Sequence, residues 1–345
     1  MRKKHFLFAS VLALLCSSST LHAQDFKLTS SGYFKNQGVD VMAFDDIYPE
    51  GHQGGVCIIM NGHRVATNGD IRLEATPGQW QPVPKQLDRK LGDNSITATL
   101  CYPDSSRHLT GFNPMIYPDL HLIYTVNVES KGKNIEVTVD LDRPIPQEFI
   151  GKVGFNLEFF PGSLFGKPWI MDGQSGIFPQ QPNSPLMTTQ PNYLHTGNYH
   201  DGKKSLADMD KLIGKGYSPI VADDIISEPY AKGTKFTSRP DDPYNKVTIE
   251  SLSGDLQLFD GRMNHNNGWF VLRSNIKPGV TKGAVKWIIT PNVVADWMYQ
   301  PVIQTSQIGY HPTQDKEAVI EMDIRDNSCL LYTSQSPRDA HESRM

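Results

Sequence analysis

Hydrophobic and polar positions alternate with a period of two over much of this chain. The clearest case runs from Leu120 to Leu141. Leu120, Leu122, Tyr124, Val126 and Val128 alternate with His121, Ile123, Thr125, Asn127 and Glu129. After Ser130-Lys131-Gly132-Lys133, Ile135, Val137, Val139 and Leu141 alternate with Glu136, Thr138, Asp140 and Asp142. Successive strand residues point to opposite faces, so both arms predict one buried and one wet face, as in an antiparallel hairpin. GVCIIM at 55–60 and KVGFNLEFF at 152–160 predict further strands, the second carrying Glu158 between Leu157 and Phe159. So do the runs at 25–34, 39–48, 247–252, 256–259, 269–273 and 284–290. Asn61-Gly62 predicts a tight hairpin, and Asn68-Gly69-Asp70 repeats the signal. One stretch, 162–234, lacks regular periodicity and is rich in Pro, Gly, Asn, Gln and Tyr. Within it Ser205 would cap a short helix, with Leu206, Met209, Leu212 and Ile213 on one face and Gly214 ending it. Aromatics, Gly and Pro are plentiful and long helical periodicity is rare, which indicates an all-β chain. The expected architecture over 24–300 is a large antiparallel β-sandwich, supersandwich-like by analogy alone.

The first 23 residues read as an export signal. Arg2, Lys3 and Lys4 precede an apolar run from Phe6 to Leu15 and a cleavage site at Leu21-His22-Ala23. The run is too short to span a bilayer, and no other segment resembles a membrane span. A secreted, periplasmic or envelope location is expected. Of four cysteines, Cys57 and Cys101 lie in strand-like runs of the mature part. Export permits a disulfide between them, and two separate buried thiols fit the pattern equally. The net charge is −4 with both signs interspersed, which lacks the basic stripe of a nucleic-acid surface.

From Gln300 the sequence QPVIQTSQIGYHPTQDKEAVIEMD predicts strand, turn and strand, with Pro312 holding His311 extended. Gln307-Ile308-Gly309-Tyr310, Pro312 and Lys316-Glu317-Ala318-Val319 resemble the opening of the immunoglobulin-like module that precedes the catalytic barrel in glycoside hydrolase family 9, the endoglucanase family. FNLEFFPGSLFGKPWIMDGQSG and LQLFDGRMNHNNGWFVLRS are similar to the N-terminal region of some enzymes of that family. The resemblance implies an accessory β-sandwich over 24–300 and the start of an Ig-like module over 301–327. The parent would be an inverting β-glucanase acting on polysaccharide. Residues 328–345 resemble the translation of a transposon-type sequencing adapter, with Cys329-Leu330-Leu331-Tyr332-Thr333-Ser334 as its core and Gln335 where the usual form carries Pro. That segment is expected to be foreign to the natural protein.

Inversion at an anomeric carbon needs an acid and a base on opposite faces of the sugar, about 6.5–9.5 Å apart. The family carries its base in an Asp-Ala-Gly-Asp motif, which this sequence does not contain. Asp45-Asp46, Asp223-Asp224 and Asp241-Asp242 are adjacent carboxylates. Neighbours on a strand face opposite ways, so adjacency makes no dyad and solvated loop charge is the better reading. His195, His200 and Asp201 have competent ligand chemistry but match no metal-site spacing. No catalytic residue, cofactor or metal is expected. Aromatic side chains offer stacking faces for pyranose rings. Among Trp80, Trp169, Tyr193, Tyr199, Trp269, Trp287 and Trp297, the two in strand patterns, Trp269 and Trp287, read as core. Trp169 beside Asp172, together with Tyr193 and Tyr199, forms the candidate glycan-binding set. The resulting expectation is the non-catalytic N-terminal part of a secreted glycoside hydrolase, with polysaccharide as partner. The alternatives are a glycan-binding or structural envelope protein and, third, a sugar epimerase of supersandwich fold.

Overall fold

The computed structural model describes residues 25–45, 54–74, 76–77, 84–102, 120–182, 227–263 and 268–323. Twenty strands lie in this span. In chain order they are β1 (Lys27–Leu28), β2 (Phe34–Asn36), β3 (Val39–Ala43), β4 (Val56–Met60), β5 (His63–Leu73), β6 (Lys85–Leu91), β7 (Ser95–Tyr102), β8 (Leu122–Lys131), β9 (Asn134–Leu141) and β10 (Val153–Phe159). They continue as β11 (Pro168–Met171), β12 (Gln174–Ile177), β13 (Ala231–Gly233), β14 (Lys235–Ser238), β15 (Val247–Ser251), β16 (Leu256–Asp260), β17 (Phe270–Asn275), β18 (Val285–Pro291), β19 (Val302–Thr305) and β20 (Ala318–Glu321). The described residues form no α-helix, only short 3-10 turns such as Gln147–Phe149. None of their helices is long and apolar enough to cross a membrane.

Two large sheets face each other. The first runs β1-β2-β3-β4-β5-β10-β17-β16-β13 and the second β12-β11-β14-β15-β18-β9-β8-β7-β6. The pairings within each sheet are antiparallel, and the expected all-β sandwich is the architecture found. Strands β8 and β9 pair in the register that puts Leu122, Tyr124, Val126, Val137, Val139 and Leu141 inward, all buried. Burying each such aliphatic side chain is worth about 1.5–3 kcal/mol. The facing layer comes from β10 and β17: Phe155, Leu157, Phe159, Phe270 and Leu272 are all buried. Phe155 meets Trp287 of β18 edge-on at 5.0 Å between ring centroids.

The hairpin β4–β5 turns at Asn61-Gly62, with φ of 52° and 81°. Two positive φ angles in a two-residue loop define the type I′ turn that Asn-Gly favours. Asn68-Gly69 departs from expectation. It does not reverse the chain but sits inside the eleven-residue β5, where the register with β4 and with β10 shifts. Asn68 takes φ 56° there, so the local signal becomes a bulge between two neighbouring strands. The run at 25–34 is also broken, because Gly32 donates its N–H to Thr29 O in a turn between β1 and β2. Strands β15 and β16, separated by Ser253-Gly254-Asp255, belong to opposite sheets, so that connection carries the chain across the sandwich.

Strands β19 and β20 form a separate two-stranded sheet, Val302 opposite Glu321 and Thr305 opposite Ala318. The expected strand, turn and strand are present. The expected export signal at 1–23, the expected short helix after Ser205 and residues 328–345 lie outside the described residues.

Candidate functional site

Three neighbouring strands of the first sheet, β5, β10 and β17, carry a concentration of buried charge. Asp70, Arg72, Glu74, Asn156, Glu158 and Arg273 are each 6% exposed or less. Asn156 lies between Asp70 of β5 and Arg273 of β17 as their cross-strand neighbour. Arg273 is the hub. Its Nη1 donates to Glu74 Oε1 (3.3 Å) and Asn156 Oδ1 (3.1 Å), its Nη2 to Glu74 O (3.1 Å) and its Nε to Asn275 Oδ1 (2.7 Å). Asn156 Nδ2 donates to the same Glu74 oxygen at 2.6 Å. Gly154 makes the guanidinium possible, since a Cβ there would stand 2.8 Å from Arg273 Nε.

The bulge at Asn68 aims its amide at Glu158 Oε2, 2.5 Å away. Glu158, between Leu157 and Phe159 in sequence, is 4% exposed and bound to a side chain. Asp70 Oδ1 accepts from Tyr124 Oη of β8 at 2.8 Å, and Asp70 Oδ2 lies 3.7 Å from Arg72. Burial pushes the Tyr102 and Tyr124 phenols upward, so both stay neutral. Burial also raises the Asp70 carboxyl to about 6 against the pull of Arg72, and Glu74 to about 7 against Arg273. Carboxyls shifted this way are candidate proton donors at neutral pH. In this arrangement Glu74 is engaged by Arg273 and Asn156 and Asp70 Oδ1 by Tyr124, while Asp70 Oδ2 is buried with the Arg72 ion pair and no hydrogen bond.

The sequence-predicted glycan set falls elsewhere. Trp169 sits on β11 of the second sheet, opposite Gly176 of β12. It is 6% exposed and belongs to the core, and its indole occupies the space a side chain at Gly176 would need. A ring so buried has no free face, so Trp169 is a core residue rather than a stacking platform. Asp172 forms a two-residue turn with Gly173, at φ 45° and 85°. Its carboxylate accepts from Thr234 N (2.5 Å) and Lys235 N (3.0 Å), and these backbone donors hold its pKa below the usual range. Asp172 therefore pins the β11–β12 hairpin to the start of β14. The Asp-Gly turn signal was available in the sequence. Tyr193, Tyr199, Trp80, His195, His200 and Asp201 lie outside the described residues.

Of the two strand tryptophans, Trp287 is fully buried and Trp269 is half-buried, edge-on to Phe160. The cysteines are both free thiols, Cys57 on the first sheet and Cys101 on the second. Cys57 contacts Thr67 Oγ1 at 3.0 Å and Gly54 O at 3.3 Å. The disulfide alternative is not the one adopted. Among the described residues no group of three or more His, Cys, Asp and Glu is arranged to hold a metal.

On the outer face of the second sheet is a pocket of about 320 Å³, lined by Lys133, Lys246, Thr248, Thr290, Pro291, Asn292 and Val293.

No family model matches the chain, and no curated protein does. Among solved structures it is similar to the Slr1438 protein of Synechocystis sp. PCC 6803, at 9% identity and a TM-score of 0.32 over 78% of this chain and 96% of that one. It is similar to a galactose mutarotase related enzyme from Lactobacillus acidophilus, at 8% identity and 0.32, over 75% and 96%. It is also similar to heparan sulfate lyase HepC from Pedobacter heparinus, at 11% and 0.28, over 87% of this chain and 41% of that one. Carbohydrate-related enzymes are thus among its structural neighbours. At these TM-scores no mechanism or substrate carries over.

Proposed function

We propose that this chain is the non-catalytic β-sandwich part of an exported polysaccharide-degrading glycoside hydrolase, similar to family 9, whose acid and base belong to a separate catalytic unit. The observation that carries the reading is how the carboxylates of the most charged region are used. Glu74 is held by Arg273 and Asn156, Glu158 by Asn68, and Asp70 by Tyr124 and Arg72. An inverting pair needs two carboxyls facing a water and a sugar across an open gap. Here the same groups tie strands together. The QIGYHP and KEAVIE motifs support the family: QIGYHP lies in the connection between β19 and β20 and KEAVIE supplies β20, a strand, turn and strand such as the start of an Ig-like module would have.

The test uses the full chain with soluble β-glucan and a chromogenic cellobioside. No reducing sugar should be released. Hydrolysis abolished by Glu74→Gln or Glu158→Gln overturns the reading. Sequencing the gene downstream of codon 327 is the second arm, and an Asp-Ala-Gly-Asp motif within a helical domain is the expected result.

A glycan-binding envelope protein is the second reading. It is favoured by Tyr244 and Tyr299, which are 49% and 36% exposed at one end of the sandwich. An epimerase would need His and carboxylate in one cleft; among the described residues His63, His121 and His311 are exposed and the carboxylates of the cluster are buried.

A further inference from the structure

We propose that the end of the sandwich bearing Tyr244, Trp297 and Tyr299, with the adjoining pocket of Lys133 and Lys246, binds an acidic oligosaccharide. This rests on the glycan-related reading above and names the site and ligand class.

The pocket lies where β9, β15 and β18 run side by side. Thr248 and Thr290 are cross-strand neighbours on the outer face. Thr290 Oγ1 donates to Asn134 Oδ1 at 2.9 Å, and Thr248 shares a hydroxyl contact with Thr237 at 3.1 Å. Lys133 and Lys246 line the same pocket as these threonines. Among the described residues neither ammonium has a carboxylate within ion-pair distance, although the chain carries a net charge of −4. Lys131, one turn residue away, is by contrast neutralised by Glu129 and Glu136. Two lysines without an ion-pair partner among the described residues, lining a pocket of this size, suit a carboxylate or sulfate on a sugar ring.

The segment bearing Tyr244 is tied to this pocket through Asn292, which lines it. Tyr244 precedes Lys246 by two residues, and Trp297 follows Val293 by four. Asn292 N donates to Lys246 O (2.9 Å) and Asn292 Nδ2 to Pro243 O (2.7 Å), joining the two segments. Asn61 Nδ2, from the β4–β5 turn, donates to Tyr244 O at 2.5 Å. Trp297 packs on Gly38 and Tyr299 on Gly62, both left-handed turns that lack a Cβ. The two rings stand 5.3 Å apart at 72°, and Gln37 Nε2 holds Trp297 O at 2.8 Å. Rings fixed before a ligand arrives lose little entropy on binding. Their apolar faces match the C–H face of a pyranose, and the lysines supply the charge that a neutral glucan would not use.

The experiment is affinity electrophoresis of the full chain in gels containing polygalacturonate, dextran sulfate, neutral hydroxyethylcellulose or inorganic polyphosphate. One or both acidic polysaccharides should retard the protein more than polyphosphate at equal charge. Polygalacturonate against dextran sulfate distinguishes carboxylate from sulfate. Tyr244→Ala and Lys246→Ala should each weaken binding at least tenfold with the unfolding midpoint unchanged, and Lys133→Ala gives an independent check should either disturb folding. Absence of retardation by both acidic polymers overturns the proposal. So does equal retardation by polyphosphate, or retardation that the substitutions leave unaltered. Retardation by hydroxyethylcellulose alone overturns the acidic site while leaving the glycan-related reading in place, and hydrolysis in the preceding assay has the reverse outcome.

Discussion

Arg273 Nη1 lies 3.3 Å from Glu74 Oε1, and both side chains are only 1% exposed. The pair joins β17 to the end of β5 across β10, with Asn156 between them. Removing Arg273 leaves a carboxyl that burial keeps protonated, whereas removing the Glu74 carboxylate leaves the guanidinium as a buried uncompensated charge, which costs about 3–5 kcal/mol. Glu74→Gln should therefore lower the urea midpoint severely at pH 8. Glu74→Gln combined with Arg273→Met should be more stable than Glu74→Gln alone, because the stranded guanidinium is gone. Equal instability of the single and double variants would contradict this account of the pair.

The same burial predicts a pH dependence whose sign is opposite to that of most carboxylates. In the unfolded chain Glu74 ionises at 4.5 and Asp70 at 3.8, while burial raises them to about 7 and about 6 when folded. Between about pH 4 and pH 7 the folded state holds more protons than the unfolded one. Stability from these groups is full below the unfolded values, declines as pH rises through the window, and levels off above the folded values. For Glu74 alone the decline is about 3 kcal/mol. Unfolding midpoints measured from pH 4 to 8 should fall with rising pH, and Glu74→Gln should flatten that slope.

Part of this architecture was open to sequence reasoning. The β8–β9 hairpin is local, and period two names its inward residues without knowledge of any other strand. The charged cluster is not local. Glu74 meets Arg273 over 199 positions and Asn156 over 82, so no spacing rule joins them. Each also sits on a strand whose other face is apolar, where a polar residue reads as solvent-facing. Asn68-Gly69 shows the limit of a turn signal: the dipeptide favours left-handed backbone, and only pairing on both sides decides between turn and bulge.

Gly55 marks a second constraint of that kind. At φ 63° it bridges Gly69, and a Cβ at Gly55 would stand 2.6 Å from Gly69 O. The obstacle is backbone, which cannot rotate away. Gly55→Ala should destabilise the protein by about 2 kcal/mol or more, through strain at positive φ together with overpacking. Gly151→Ala, also at positive φ but with open space around it, should cost about 1 kcal/mol. Chemical unfolding of the two variants separates clash from backbone strain.

The free thiols predict that reduction leaves stability unchanged. Cys57 is fully buried against Thr67, and Cys101 is partly exposed on the other sheet. Alkylation of the native protein followed by peptide mapping should find Cys101 modified well before Cys57. A dithiothreitol-dependent fall in melting temperature, or a cross-linked peptide containing both residues, would refute the free-thiol arrangement.

The last prediction separates core from binding at Trp169. Trp169 pairs with Gly176 of β12 on one side and Ser238 of β14 on the other, its indole covers Gly176, and it joins the same core as Phe236 and Met171. Truncation to Ala would remove a large apolar side chain and leave a cavity, at a cost of about 3–5 kcal/mol. Trp169→Phe keeps most of the fill and should recover more than half of that loss. Binding to acidic polysaccharide should be the same for Trp169→Phe as for the parent, because the rings proposed to meet sugar are at Tyr244, Trp297 and Tyr299. A Trp169→Phe protein that unfolds like the parent yet no longer binds would return the stacking role to Trp169. Full binding in Trp169→Phe, with stability lost in proportion to the volume removed, assigns the residue to the core on functional as well as geometric grounds.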